Sequence, residues 1–168
     1  DATTTGSDNT ALGSEALVLN TTAGSNTAIG RQAMCKNTEG AENTALGAFA
    51  LCANTTASNN TAIGKESLKT NTVGFNNVGV GNQSLKLLQD GDYNTAIGQG
   101  SMSKTTTGNR NTAVGNNSLI CNTTGTGNTA VGGTDAGTLP VMWKNTTGVC
   151  SAAFGTGALS CNTTGGCN

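Results

Sequence analysis

Apolar and polar positions follow one short cycle along the whole chain. The string Asn-Thr-Ala-aliphatic-Gly begins at Asn9, Asn26, Asn43, Asn60, Asn94, Asn111 and Asn128, and a variant, Asn-Val-Gly-Val-Gly, begins at Asn77. Each of these starts lies on a 17-residue spacing. A ninth copy, Ser-Ala-Ala-Phe-Gly, begins at Ser151, 23 residues after Asn128, which is one period plus six residues. Counted from the first Asn of each copy, position 4 is apolar throughout, as in Leu12, Ile29, Leu46, Ile63, Val80 and Ile97, and position 5 is always Gly. Position 8 is mostly Ala or Ser, and position 9 is Leu or Met, as in Leu17, Met34, Leu51, Leu68, Leu85 and Met102. Position 12 is mostly Asn, followed by Thr-Thr and then Gly or Ala. Aligning Met142 with position 9 places the six extra residues near 135–140, in the eighth repeat.

A repeat this short cannot hold a helical hairpin, and Gly, Thr and Asn are poor helix formers. Each copy reads instead as two short strands and two turns. Thr-Ala-aliphatic forms one strand, with Gly permitting the corner after it. The other strand centres on Ser/Ala-Leu and ends in the turn chemistry of Asn-Thr-Thr-Gly. One such coil buries almost nothing, but stacked coils bury a continuous core. The expected fold is therefore all-β: a parallel β-solenoid (a β-roll or β-helix) of about ten 17-residue coils, forming one domain over residues 1–168. The expected core ladder runs through Ile29, Leu46, Ile63, Val80 and Ile97 at position 4, and through Leu51, Leu68 and Leu85 at position 9. Asn at positions 1 and 12 is expected to stack inward as amide ladders, with simple turn service as the alternative.

Composition narrows the function classes. Charged residues make up 10%, aromatics 3%, and the net charge is −1, so nothing draws nucleic acid or an anionic membrane surface. No apolar run reaches the roughly 20 residues of a membrane span. With no His the commonest general base is missing, and no catalytic residues or metal ligands are assigned. The one close acidic pair, Asp90 and Asp92, reads as turn residues before calcium ligands. No cofactor is expected, and the chain is not expected to be an enzyme.

Six cysteines without His point to disulfides in an oxidising compartment. Cys35 and Cys52 share position 10 one period apart, and Cys150 and Cys167 share position 17 one period apart. Adjacent coils bring such pairs to about 5 Å between Cα atoms, inside the disulfide window. Both bridges are expected. Cys121 and Cys161 share position 11 with a repeat between them. They pair if the insertion displaces that repeat, or bond across a subunit contact, or stay as free thiols.

The Asn-Thr-Ala-Ile-Gly units with Ser/Ala-Leu and Asn-Thr-Thr-Gly resemble the repeats of phage and algal-virus tail-fibre-like proteins. More distantly they resemble the β-roll head repeats of trimeric autotransporter adhesins. The resemblance covers nearly the whole chain. It implies an extracellular, fibrous, multimeric protein used for structure or attachment.

Asn-x-Ser/Thr sequons at Asn20, Asn54, Asn59, Asn82, Asn116, Asn122, Asn145 and Asn162 make covalent glycans the expected modification, with the Thr pairs as alternative O-linked sites. Leu139, Pro140, Val141 and Trp143, at the insertion, are the candidate subunit contact. The leading functional expectation is a subunit of an extracellular fibril or surface appendage. Copies of the chain are its partners, stacked head to tail through solenoid ends. The alternatives are a tail-fibre or adhesin segment that binds surface glycans, and an ice-binding solenoid.

Overall fold

The computed structural model describes residues 5–134 and 138–168. Residues 135–137, where the expected insertion begins, lie outside the described residues. The chain is a parallel β-solenoid. Its strands are β1 (Thr10–Leu12), β2 (Thr27–Ile29), β3 (Thr44–Leu46), β4 (Thr61–Ile63), β5 (Val78–Val80), β6 (Thr95–Ile97), β7 (Thr112–Val114), β8 (Thr129–Val131) and β9 (Ala152–Phe154). They form one sheet in chain order, each pairing parallel with the next. The register follows the repeat, with Ala28 on Ala45, Ala45 on Ala62, and Ile29 on Leu46. β8 and β9 hold the same alignment across the insertion, with Thr129 on Ala152 and Val131 on Phe154. Among the described residues there are nine rungs, not the ten expected; residues 5–8 add the close of one further turn, with Thr5 N–H donating to the Thr21 carbonyl and Ser25 N–H to the Ser7 carbonyl.

Among the described residues the second strand of the coil does not form. Positions 7 and 9 sit in the left-handed region, as in Phe49 (φ 62°) and Leu51 (φ 49°), so the backbone there turns instead of extending. Local bonds close these turns: the Ala50 amide donates to the Gly47 carbonyl at 3.2 Å, and the Asn54 amide to the Leu51 carbonyl at 3.1 Å. Turns still stack on turns, since Leu51 N–H donates to the Ser67 carbonyl at 3.1 Å and Leu68 N–H to the Ser84 carbonyl at 3.0 Å. A third line of bonds links position 13 of neighbouring coils, as from Thr38 N–H to the Thr55 carbonyl at 3.0 Å. A left-handed Leu costs about 1–2 kcal/mol. Full burial of its side chain returns about 1.5–3 kcal/mol, so the conformation is held by the core it supplies.

The inside of the coil is narrower than the apolar pattern suggests. Ala28, Ala45, Ala62, Ala96, Ala113 and Ala130 at position 3 are fully buried, as are Leu51, Leu68 and Leu85 at position 9. Position 4 points outward, which corrects half of the expected core. Leu46, Ile63 and Ile97 are exposed by 36–44%, and Ile29 and Val80 are half-buried. The cause is space. A methyl group built on Gly79 at position 3 would already stand 2.6 Å from Ser67 Oγ and 3.4 Å from Leu68 Cγ. The wall opposite the strand thus leaves room for Ala and no room for Ile. Position 5 accepts only Gly. Gly64 has φ 125°, and a Cβ there would stand 2.5 Å from the carbonyl oxygen of Gly81 in the next coil.

Candidate functional site

Asn at position 1 ties each coil to itself and to its neighbour. The Asn43 Nδ2 donates across the coil to the Ala57 carbonyl at 2.8 Å, while Asn43 Oδ1 accepts the Asn60 backbone N–H at 2.9 Å. The same arrangement recurs at Asn26, Asn60, Asn77, Asn94, Asn111 and Asn128. Position 12 forms a second inward column. Asn37 Nδ2 donates to Asn20 Oδ1 at 3.0 Å, and Asn54 Nδ2 to Asn37 Oδ1 at 2.7 Å. This column breaks in the middle, where Leu88 and Thr105 replace Asn, and Asn54 Oδ1, Asn71 Oδ1 and Thr105 Oγ1 are buried without a partner. Ser at position 8, expected in the centre of a second strand, is buried and bridges the two walls: Ser67 Oγ donates to the Gly79 carbonyl at 2.9 Å and Ser84 Oγ to the Ala96 carbonyl at 2.9 Å.

These columns correct the glycosylation map. Asn20, Asn54, Asn122 and Asn145 are buried, and each Nδ2 donates inside the coil. A glycan bonded to that nitrogen would need the space of the core, so these sequons are closed in the folded chain. Asn162 is half-buried and donates to Asn145 Oδ1 at 3.2 Å. Asn59, Asn82 and Asn116 lie on the exterior and are exposed. Threonine divides by position. Hydroxyls at position 13 donate to the next coil, as Thr38 Oγ1 does to the Thr55 carbonyl at 3.1 Å, whereas Thr22, Thr56, Thr107, Thr124, Thr147 and Thr164 at position 14 are exposed.

The cysteines lie where the coil count places them. Cys35 and Cys52 are thiols with sulfurs 2.9 Å apart on adjacent coils. Burial, and then the hydrogen bond to Cys52, push the Cys35 thiol up to about 12. Cys150 and Cys167, the second expected bridge, are likewise free thiols, exposed at successive rungs of one corner with their amides donating to the Thr126 and Val149 carbonyls. β8 stays between β7 and β9, so the insertion does not displace the eighth repeat and Cys121 and Cys161 remain two coils apart. Cys121 instead has the Lys104 ammonium 3.8 Å from its sulfur.

The insertion region offers less contact surface than expected. Val141 is fully buried at position 8 and Pro140 is buried, which removes both from the candidate subunit contact. Leu139 is exposed, and Trp143 is half-buried with the Lys144 ammonium 6.0 Å from its ring centre. Asp92 ties its coil to both neighbours: Oδ1 accepts the Phe75 N–H of one at 2.9 Å, and its own N–H donates to Asn109 Oδ1 of the other at 2.7 Å. Next to it, Phe75 and Tyr93 form an exposed edge-to-face pair with ring centres 5.4 Å apart. Glu66 bonds Lys86 at 2.9 Å and Lys69 at 3.3 Å, and those ammonium groups, Lys86 first, draw its carboxyl down to about 2. Among the described residues no three His, Cys, Asp or Glu side chains gather as a metal site, and no helix is long and apolar enough to cross a membrane.

The outward face of the sheet runs along the rod as a continuous exterior feature. Positions 2 and 4 of every strand share it, because side chains alternate along a strand. Thr27, Thr44, Thr61, Thr95, Thr112 and Thr129 form one row beside the position-4 aliphatics, with Val78 in the middle rung. Alternation around the small buried Ala at position 3 was the sequence signal for this face. Compared with family models, curated proteins and solved structures, the chain matches none.

Proposed function

We propose that the chain is a structural segment of an extracellular fibril or surface appendage, in which coils of successive copies continue one ladder. The observation that carries this reading is the dependence of every coil on a neighbour in the same register. The Asn43 carboxamide, the position-9 amide and the position-13 hydroxyl each find their partner one coil away. Because the coils are nearly identical, a second copy fits as well as the next repeat does, and a head-to-tail contact that does not close gives an open filament. The resemblance to tail-fibre-like repeats supports the same reading. Glycans at Asn59, Asn82 and Asn116, or along the exposed position-14 threonines, would shield such a rod. Negative-stain imaging of the purified protein tests it. Long unbranched filaments of constant width are expected, and a population of discrete short rods at all concentrations would sink the idea.

A second reading, a segment that binds surface glycans, is favoured by the Phe75 and Tyr93 pair. Two of the chain's five aromatic residues are exposed together beside Asn76 and Asp92. Exposed ring faces beside amide and carboxylate groups suit a sugar ring. Binding on a glycan array that Tyr93→Ala abolishes is the expected result for this reading.

A further inference from the structure

We propose that the outward sheet face, built by positions 2 and 4, is a lateral interface for a second copy of this chain, docked antiparallel so that threonine meets threonine and aliphatic meets aliphatic. The inference concerns the flank of the rod and stands whether or not the ends stack. Large aliphatics are exposed in one unbroken line: Leu12 at 66%, Leu46 at 44%, Ile63 at 36% and Ile97 at 42%, with the half-buried Ile29, Val80, Val114 and Val131 between and after them. Contiguous apolar surface of this kind marks an interaction site. Neither position carries a charge in any of the nine strands, so the face offers nothing to an ionic partner.

The hydroxyls narrow the partner further. Those of Thr27, Thr44, Thr61, Thr95, Thr112 and Thr129 bond no protein group, in contrast to the engaged hydroxyls at position 13. The occupant must therefore bring apolar groups for one row and hydroxyls for the other, both at the rung spacing of about 4.8 Å. A second copy does so at every rung. Its orientation follows from the two rows. Rotation about the rod axis would lay threonines on aliphatics and bury hydroxyls without partners, which is unfavourable. Rotation about an axis across the rod lays like on like, giving cross-bonded threonines and an aliphatic zipper. This contact is isologous, and with the nine rungs fully overlapped β5 lies on the two-fold axis. There Val78 stands in place of Thr, so the residue that meets its own copy is apolar.

The area sets the strength. Eight intervals of about 4.8 Å and a two-row width of about 12 Å cover on the order of 500 Å² per copy, or about 1,000 Å² for the pair, the lower edge for a specific contact. Pairing of a nine-rung rod is thus weak, and it strengthens with each rung added in line.

Sedimentation velocity across a concentration series, with imaging of rod width, tests the proposal on the full chain. The expected result is a rise to twice the mass, and paired rods of doubled width and unchanged length. In Ile63→Lys combined with Ile97→Lys, pairing should weaken by at least about tenfold. These exposed positions should leave the thermal melt within a few degrees of the original. A Val78→Cys protein should cross-link to its own copy through that residue, read by peptide mass. Absence of pairing up to roughly 1 mM, undiminished pairing in the double-lysine protein, or no link through residue 78 would overturn the proposal. So would a single rod that shapes growing ice crystals, since the face would then belong to ordered water. Filament length, which reports end stacking, is read separately from width, so failure of one contact is not mistaken for failure of the other.

Discussion

Asn43 sits where two hydrogen bonds hold a coil closed and fix the next coil above it. Removing the carboxamide orphans the buried Asn60 N–H, while the Ala57 carbonyl keeps the Asn54 Nδ2 donor at 3.0 Å. Asn43→Ala should therefore cost about 1–3 kcal/mol, measurable by chemical unfolding. Asn71 offers the contrast. Its Oδ1 has no partner, and the Gly74 carbonyl that its Nδ2 serves also accepts from Asn60 at 2.9 Å. Leu88 occupies the same position one coil on and is fully buried. Asn71→Leu should thus change stability by less than about 1 kcal/mol in either direction. A loss as large as that of Asn43→Ala would mean that the broken column is stronger than its bonds indicate. Cysteine chemistry also belongs to this scale. In the reduced protein the Cys35 thiol, held up to about 12, stays protonated at pH 8, whereas Cys150, Cys161 and Cys167 are exposed. Alkylation at pH 8, followed by mass spectrometry, should label those three at least about tenfold faster than Cys35.

The three-residue strand and its glycine corner are the elements on which the register depends. Gly64→Ala drives a methyl onto the Gly81 backbone in a conformation that L-residues avoid. The expected loss is more than about 3 kcal/mol, with local unfolding of coils four and five visible by hydrogen exchange. The Glu66 cluster joins the same two coils with less at stake. Its lowered pKa means that its contribution is present above the ordinary value of 4.5 and is lost as pH falls toward about 2. Glu66→Gln should flatten that acid limb by no more than about 1 kcal/mol, because the pair lies at the surface. The 17-residue spacing makes the coil and its rung partners legible in the sequence alone. The direction of each side chain is not. Thr-Ala-Ile alternates in or out, and the larger apolar residue suggests itself for the core. Only the width of the cavity, set by Leu and Ser on the opposite wall, decides that Ala goes inside. The second strand failed for a related reason, since a left-handed Leu cannot be foreseen from a residue type that shuns that conformation. The inward Asn columns were legible, and they closed sequons that a motif search alone leaves open.

A molecule made of like coils unfolds by neighbour-to-neighbour terms and not as one unit. Oxidation at Cys35 and Cys52 would clamp one such step. A bridge across a loop of this length is worth about 3 kcal/mol, so the oxidised protein should retain coils two and three after its outer coils have opened. Non-reducing peptide maps check the bridge, and residue-resolved exchange checks the order of opening. Whole-molecule shape was the most legible property, because a strict period leaves few ways to bury anything. The flank was the least legible, because it depends on which row faces water. Six extra residues between Gly133 and Val141 leave the pairing of β8 with β9 unshifted. The corner between positions 6 and 8 is therefore a place where foreign sequence can be spliced in without disturbing the lattice. A short guest peptide placed at that corner of another coil should be carried in the same way, so that such guests would stand along the rod like pegs on a ruler.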